Sequence, residues 1–177
     1  MFQRLFPPPA HRVSGQALYA SAARQARLPA LYRELGAPDT VEGRFELVSL
    51  HLSLLLLRLK GQGTPAAETA QAAFDTFVQA LDDAMRELGV ADVSIGKKMK
   101  KAGAAFYGRM RSYETALAAL PDRAELDALI GRTVFEEMDG APAAGLADYA
   151  ARAVQALATQ PLAELLEGRV TWPEPCA

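Results

Sequence analysis

SIGKKMKKAGAAFYGRMRSYETALAAL, residues 94–120, decides the fold class. Its apolar positions, Ile95, Met99, Ala102, Phe106, Met110, Tyr113 and Leu117, recur at spacings of four and three. On a helix of about 3.6 residues per turn they form one continuous stripe, which needs a core to face. Ser94 is placed to cap this helix and Pro121 to end it.

Working outward, the same grammar recurs. Toward the N-terminus, Thr64–Pro65 reads as a cap and first turn, opening a helix that Gly89 stops. Before it, Asp39 or Thr40 can cap a leucine-rich helix that runs to Gly61. Pro29 opens a short helix that Gly36 stops, and residues 14–27 form another. Toward the C-terminus, residues 121–159 and 161–167 hold two or three shorter helices before a tail containing Trp172–Pro173. β-Branched runs of period two are absent. The expectation is an all-α, single-domain helical bundle of roughly six to eight helices. Residues 1–13, with three successive prolines, form a flexible arm, 14–168 the helical domain and 169–177 a tail.

At 177 residues the chain can bury a substantial core without metal or disulfide support. Its net charge of −2 gives no overall pull toward nucleic acid or anionic lipid. The charges are unevenly spread. Residues 1–33 hold five arginines and no acid, whereas residues 114–177 hold eleven acids and four arginines. Cys176 is the sole cysteine, so an intrachain disulfide is impossible. The most apolar stretch, residues 47–59, contains His51 and Arg58 and falls short of the roughly 20 residues a bilayer requires. It reads as a buried helix. Prolines 7–9 interrupt any early apolar run, so no signal peptide is expected.

One local constellation stands above the background. Lys97, Lys98, Lys100, Lys101, Arg109 and Arg111 occur with no acid between the first and the last. Lys97, Lys100, Lys101 and Arg111 project away from the apolar stripe, Lys98 and Arg109 flank it, and Tyr107 lies on the basic side. A solvated helix face is the ordinary reading of such a run, but like charges repel and ordinary surfaces mix signs. A basic face with an embedded aromatic suits ribosomal RNA, anionic headgroups or an acidic protein segment.

Other features point to structure. His51, inside the leucine run, suits a hydrogen-bonded core position better than a haem ligand. Asp82, Asp83, Arg86 and Glu87 fit ordinary helix-face pairs. Gly43–Arg44–Phe45 puts a glycine in a first helical turn, where it permits close backbone approach. Phosphate loops, nucleophile elbows and zinc-ligand spacings do not occur, so neither an enzyme nor a cofactor is implied.

The order of particular residues adds a further signal. Ala26–Arg27–Leu28–Pro29 with Tyr32 precedes Pro38–Asp39–Thr40 and Gly43–Arg44–Phe45. Then come Leu50–His51, Arg58–Leu59, Arg86–Glu87–Leu88–Gly89–Val90 with Asp92, Gly96–Lys97, and Phe106–Tyr107–Gly108–Arg109. In this order they resemble the ubiquinol–cytochrome c chaperone family, over about residues 19–120. Leu57 stands where the family pattern has a basic residue, and the Asp82–Asp83 stretch is shifted. After Leu120 only residues 131–135 keep a faint likeness.

The resemblance implies a helical, non-enzymatic assembly chaperone for the ubiquinol–cytochrome c reductase complex, with newly made cytochrome b as its client. It also implies a small partner assembly factor and contact with the ribosome or an anionic membrane surface, with no DNA partner. The implied location is cytoplasmic or peripheral on the inner membrane, the matrix side in a mitochondrion. Taken without the resemblance, the same lysines would suit a ribosome- or RNA-binding helical module, and His51 a haem carrier.

Overall fold

The leucine-rich segment forms the axis around which the other helices are arranged. In the computed structural model, which describes residues 7–89, 92–136 and 141–176, it is helix α3, Val41–Leu59. Its run from Ser49 to Leu55 is buried on every side. A helix that is apolar all round must be enclosed by others, and α3 packs against five. These are α1 (Ala10–Gln25), α4 (Thr64–Glu87), α5 (Asp92–Ala118), α6 (Ala124–Val134) and α7 (Ala141–Thr159). Two short helices, α2 (Pro29–Arg33) and α8 (Leu162–Leu166), complete the bundle. Among the described residues there are eight helices and no strand.

Local chemistry explains most of the ends. Thr40 caps α3 by accepting a 3.0 Å hydrogen bond from the Gly43 N–H, one of the donors a helix start leaves unpaired. Pro29 occupies the first turn of α2, where its missing N–H costs nothing. Gly36 and Gly89, both at positive φ (71° and 73°), turn the chain beyond α2 and α4.

Three starts differ from the sequence expectation. Helix α1 begins at Ala10, directly after Pro9, whose extended backbone (φ −52°, ψ 142°) delivers the chain into the first turn. Ser14, the expected start, lies inside α1, and its hydroxyl donates to the Leu166 carbonyl at 2.5 Å, tying α1 to the end of α8. Thr64 is the first residue of α4, and Gly63 holds the cap position without a side-chain bond. Ser94 lies within α5, which starts at Asp92, and the residues before it are outside the described set.

The predicted stripe of α5 faces inward. Ile95, Phe106 and Tyr113 are buried, and Met99, Ala102, Met110 and Leu117 are half-buried. Phe106 is seated among α4 aromatics, with ring centroids 5.4 Å from Phe74 and 5.0 Å from Phe77. Tilted pairs at such distances add to simple area burial. Tyr19 of α1 and Phe45 of α3 close the cluster around Phe77 at 6.2 and 6.1 Å.

Helix α1 packs most extensively on α4, and Gly15 permits that approach. A Cβ there would lie 2.5 Å from the Ala72 Cβ and 2.7 Å from the Ala73 nitrogen. After α8, Gly168 (φ 79°) redirects the chain across α1, and residues 169–176 run as an extended strap over α1, α3 and α7.

Candidate partner-binding face

Along α5 the core stripe leaves the opposite side to solvent, and that side is cationic. Lys97, Lys98, Lys100, Lys101 and Arg111 are all exposed. None of the five makes an ion pair with a described residue. Their density on one helix face is what makes the face distinctive, and several other basic groups are paired. Arg44 pairs with Asp39, Arg86 with Asp82, Arg123 and Arg152 with Asp148, and Lys60 with Glu114. Arg58 gives its guanidinium to main-chain carbonyls at the end of α7, Leu157 at 2.9 Å and Gln160 at 3.1 Å. Elsewhere the fold pairs these cations and leaves Arg12, Arg24, Arg27, Arg33 and Arg132 exposed without an ion pair, none of them in so dense a run. On α5 the free cations lie close together, at a repulsive cost that an anionic partner would relieve.

Gly96, Gly103 and Gly108 have nothing within 4 Å of where a side chain would begin. They flank the lysines with bare backbone, so a partner surface can come close to the helix. Toward the C-terminal half, Arg111 lines a groove of about 340 Å³ against α6, shared with Gly108, Ser112, Glu125, Leu129 and Arg132. Arg132 is exposed and extends the positive rim. Sequence reading did not join it to the basic face, because the two arginines are 21 positions apart and meet only through the α5–α6 packing.

Two residues expected on this face sit differently. Arg109 turns toward α3 and grips Glu46 with both arms of its guanidinium, at 2.9 Å to each carboxylate oxygen. Glu46 is buried, so the pair is an internal staple between α3 and α5, the fork-to-fork geometry that arginine provides and lysine cannot. Hydrogen bonding to Glu46 raises the Arg109 pKa further above its already high value. Tyr107 is 50% exposed, but its ring leans on Phe74 of α4 with centroids 5.0 Å apart. It sits at the border of the basic face, one edge in the aromatic cluster.

The ordered residues that carried the family resemblance mostly build the frame. The Tyr32 hydroxyl donates to the Ala26 carbonyl at 2.7 Å and closes the α1–α2 corner, which Pro29 opens. Burial raises the Tyr32 pKa, partly offset by the nearby Arg44 and Arg27 charges. Arg44 donates to Asp39 at 2.6 Å, and that bond holds the Asp39 carboxyl below its usual range. Gly43 is required by crowding, since a Cβ there would fall 2.1 Å from the Pro38 carbonyl oxygen. The expected close approach at Gly43 is therefore made by the chain's own loop.

His51 is fully buried and both ring nitrogens are engaged. Nδ1 lies 2.7 Å from the Leu47 carbonyl and Nε2 2.8 Å from the Tyr149 hydroxyl. A carbonyl can only accept, so Nδ1 carries the proton and Nε2 accepts from Tyr149. Gln25 in turn donates to the Tyr149 oxygen at 2.9 Å. Burial lowers the His51 pKa to about 4 and pushes Tyr149 up to about 12. With both nitrogens occupied inside a closed core, His51 serves as a core hydrogen-bonding group, and the haem-ligand alternative loses its donor atom. Among the described residues no cluster of three or more histidine, cysteine or acidic side chains could hold a metal ion.

The sequence pattern of the ubiquinol–cytochrome C chaperone family matches residues 33–172, which include α5, α6, α7 and the start of the strap. The chain belongs to the ubiquinol–cytochrome c chaperone family. No curated protein matches it. The crystal structure of the Cbp3 homolog from Brucella abortus superposes with a TM-score of 0.85 at 31% identity, covering 94% of this chain and 92% of that one. The family match continues well past Leu120, where the recognisable residue order gave out. Membership of this family carries a chaperone or assembly role for the reductase complex. No helix among the described residues is long and apolar enough to cross a membrane.

Proposed function

We propose that this ubiquinol–cytochrome c chaperone binds newly made cytochrome b and holds it for assembly into the reductase, without catalysing a reaction. The basic side of α5 is the docking face in this account. The observation that carries it is the density of five exposed cations, Lys97, Lys98, Lys100, Lys101 and Arg111, within fifteen positions of one helix, without an acid between them and without a described ion-pair partner.

Cytochrome b is made at a ribosome and enters a membrane, both polyanionic surfaces, and a chaperone for it must wait at that junction. A cluster of unpaired lysines on one exposed helix face suits that position: it is attracted at long range and released by salt. Main-chain exposure at Gly96, Gly103 and Gly108 lets the surface approach closely. A small partner assembly factor fits the same scheme as a second occupant.

The test is genetic. A strain lacking the protein is complemented with the unmodified chain or with Lys97→Glu, Lys100→Glu and Lys101→Glu together. The expected result is that the deletion strain loses assembled reductase while its cytochrome b transcript persists, and that the triple variant restores little of it. Normal assembled complex in the deletion strain would remove the reading. In parallel, co-sedimentation with ribosomes and with vesicles containing anionic lipid shows which surface the face meets. Binding to either should fall steeply with salt and with the triple substitution.

A further inference from the structure

The strap formed by residues 169–176 lies in a groove across α1, α3 and α7, held by hydrogen bonds to its main chain and by packing of Val170, Trp172 and Pro175. Gln160 pairs with Thr171 as a neighbouring strand would, donating from Nε2 to the Thr171 carbonyl and accepting from the Thr171 N–H, each at 2.8 Å. Gln25 donates to the Pro173 carbonyl at 3.2 Å. Arg152 spreads its two terminal nitrogens over the next two carbonyls, Glu174 at 2.8 Å and Pro175 at 2.7 Å. The largest side-chain anchor is Trp172, whose indole N–H donates to the Ser21 hydroxyl at 3.0 Å while its ring meets His51 nearly edge-on, centroids 5.2 Å apart. Val170 also packs on the core and Pro175 is buried.

These walls are fixed by contacts that do not involve the strap. Asp148 accepts from Arg152 Nε at 3.3 Å, leaving both terminal nitrogens free to point at carbonyls. Arg123 braces the same Asp148 at 2.5 Å. Tyr149 is held between Gln25 and His51. The strap has no helix or strand of its own and enters the groove through the positive-φ turn at Gly168. A prearranged row of side chains that reads consecutive carbonyls, with a seat for one aromatic ring, is how proteins bind extended peptides. It tolerates many sequences, because every residue offers a carbonyl.

We propose that the groove between α1 and α7 is a binding site for an extended segment of a partner protein carrying an aromatic residue followed by proline, and that the C-terminal strap fills it in cis. The strap supplies the chemistry of the ligand, since Trp172–Pro173 is the portion seated over His51, Gln25 and Ser21. A tethered segment acts at an effective concentration on the order of millimolar, so the groove of the unmodified chain is closed to all but tight or abundant competitors. This site is separate from the basic side of α5 and does not depend on its role.

The experiment uses the full chain and a fluorescein-labelled synthetic peptide of residues 169–176, with binding read by anisotropy. Trp172→Ala weakens the cis strap and leaves every groove residue in place. The expected result is at least about tenfold tighter peptide binding than by the unmodified chain. Adding Arg152→Ala and Gln160→Ala should reverse the gain, as should replacing the tryptophan of the peptide with alanine. A helical, cooperatively folded Trp172→Ala chain that binds no better than the unmodified one would overturn the proposal, as would binding that survives loss of Arg152 and Gln160. Should Trp172→Ala fail to fold, hydrogen exchange of the unmodified chain decides. The site requires the amides of residues 169–176 to exchange by local opening, well before α3; exchange only together with α3 would make the strap a fixed part of the core and end the proposal.

Discussion

His51 shows how a single side chain can tie stability to pH. Its folded pKa is about 4, against the usual 6.5, because burial penalises the imidazolium and no carboxylate is among the causes acting on it. The sign follows: the unfolded chain takes up a proton at higher pH than the folded one. The contribution to stability is therefore complete above about pH 6.5 and is lost as pH falls from there toward 4. The shift corresponds to a ceiling of roughly 3 kcal/mol. Urea unfolding at pH 7 and pH 4.5 should show a larger acid loss for the unmodified chain than for His51→Gln, which cannot titrate; equal losses would contradict it. The Glu46–Arg109 staple makes a second prediction at this scale. Arg109→Ala leaves a buried carboxylate without its partner and should cost about 2–4 kcal/mol, whereas Glu46→Leu with Arg109→Met should recover much of that. Chemical denaturation of both variants measures it.

Elements are where sequence and structure can be compared most directly. The stripe of α5 could be read because its spacing is set by helix geometry alone, and burial of Ile95, Phe106 and Tyr113 follows from it. The all-helical architecture and the enclosed leucine run were legible for the same reason, as was the hydrogen-bonded core role of His51. Partners remote in sequence were not. Nothing in the local pattern shows that Arg109 reaches Glu46, 63 positions away, or that Arg132 joins the rim beside Arg111. The beginning of α1 was misread because Ser14 has the chemistry of a cap but spends its hydroxyl on Leu166. The strap was invisible as anything but a tail, since its recognition lies in side chains of α1 and α7 and leaves no periodicity in residues 169–176.

Helix contacts also predict which glycines cannot change. Gly43→Ala would drive a methyl group into the Pro38 carbonyl, and Gly15→Ala would push α1 off α4. Each should cost about 2–3 kcal/mol or more, as overpacking against backbone does. By contrast, Gly103→Ala meets open space and sits inside α5, so it should stabilise by up to about 1 kcal/mol. Thermal melts of the three variants should rank them in that order, with Gly103→Ala above the unmodified protein. A Gly43→Ala melt unchanged from the unmodified chain would mean that the Pro38 loop yields easily.

For the whole molecule, the division of labour is between a frame and a face. The frame comprises α3 and the helices around it, fastened by arginines that pair with acids or main-chain carbonyls. The face is the outer side of α5, left cationic. Family membership assigns the assembly role, and the proposed contact through the outer side of α5 is one that salt should weaken. Affinity capture of the tagged protein from respiring cells at low salt, followed by mass spectrometry, tests the central claim most directly. The account predicts that newly made cytochrome b is enriched with the unmodified chain and falls sharply with Lys97→Glu, Lys100→Glu and Lys101→Glu combined. Recovery of other proteins with no cytochrome b above a mock capture, from cells actively making the reductase, would contradict it.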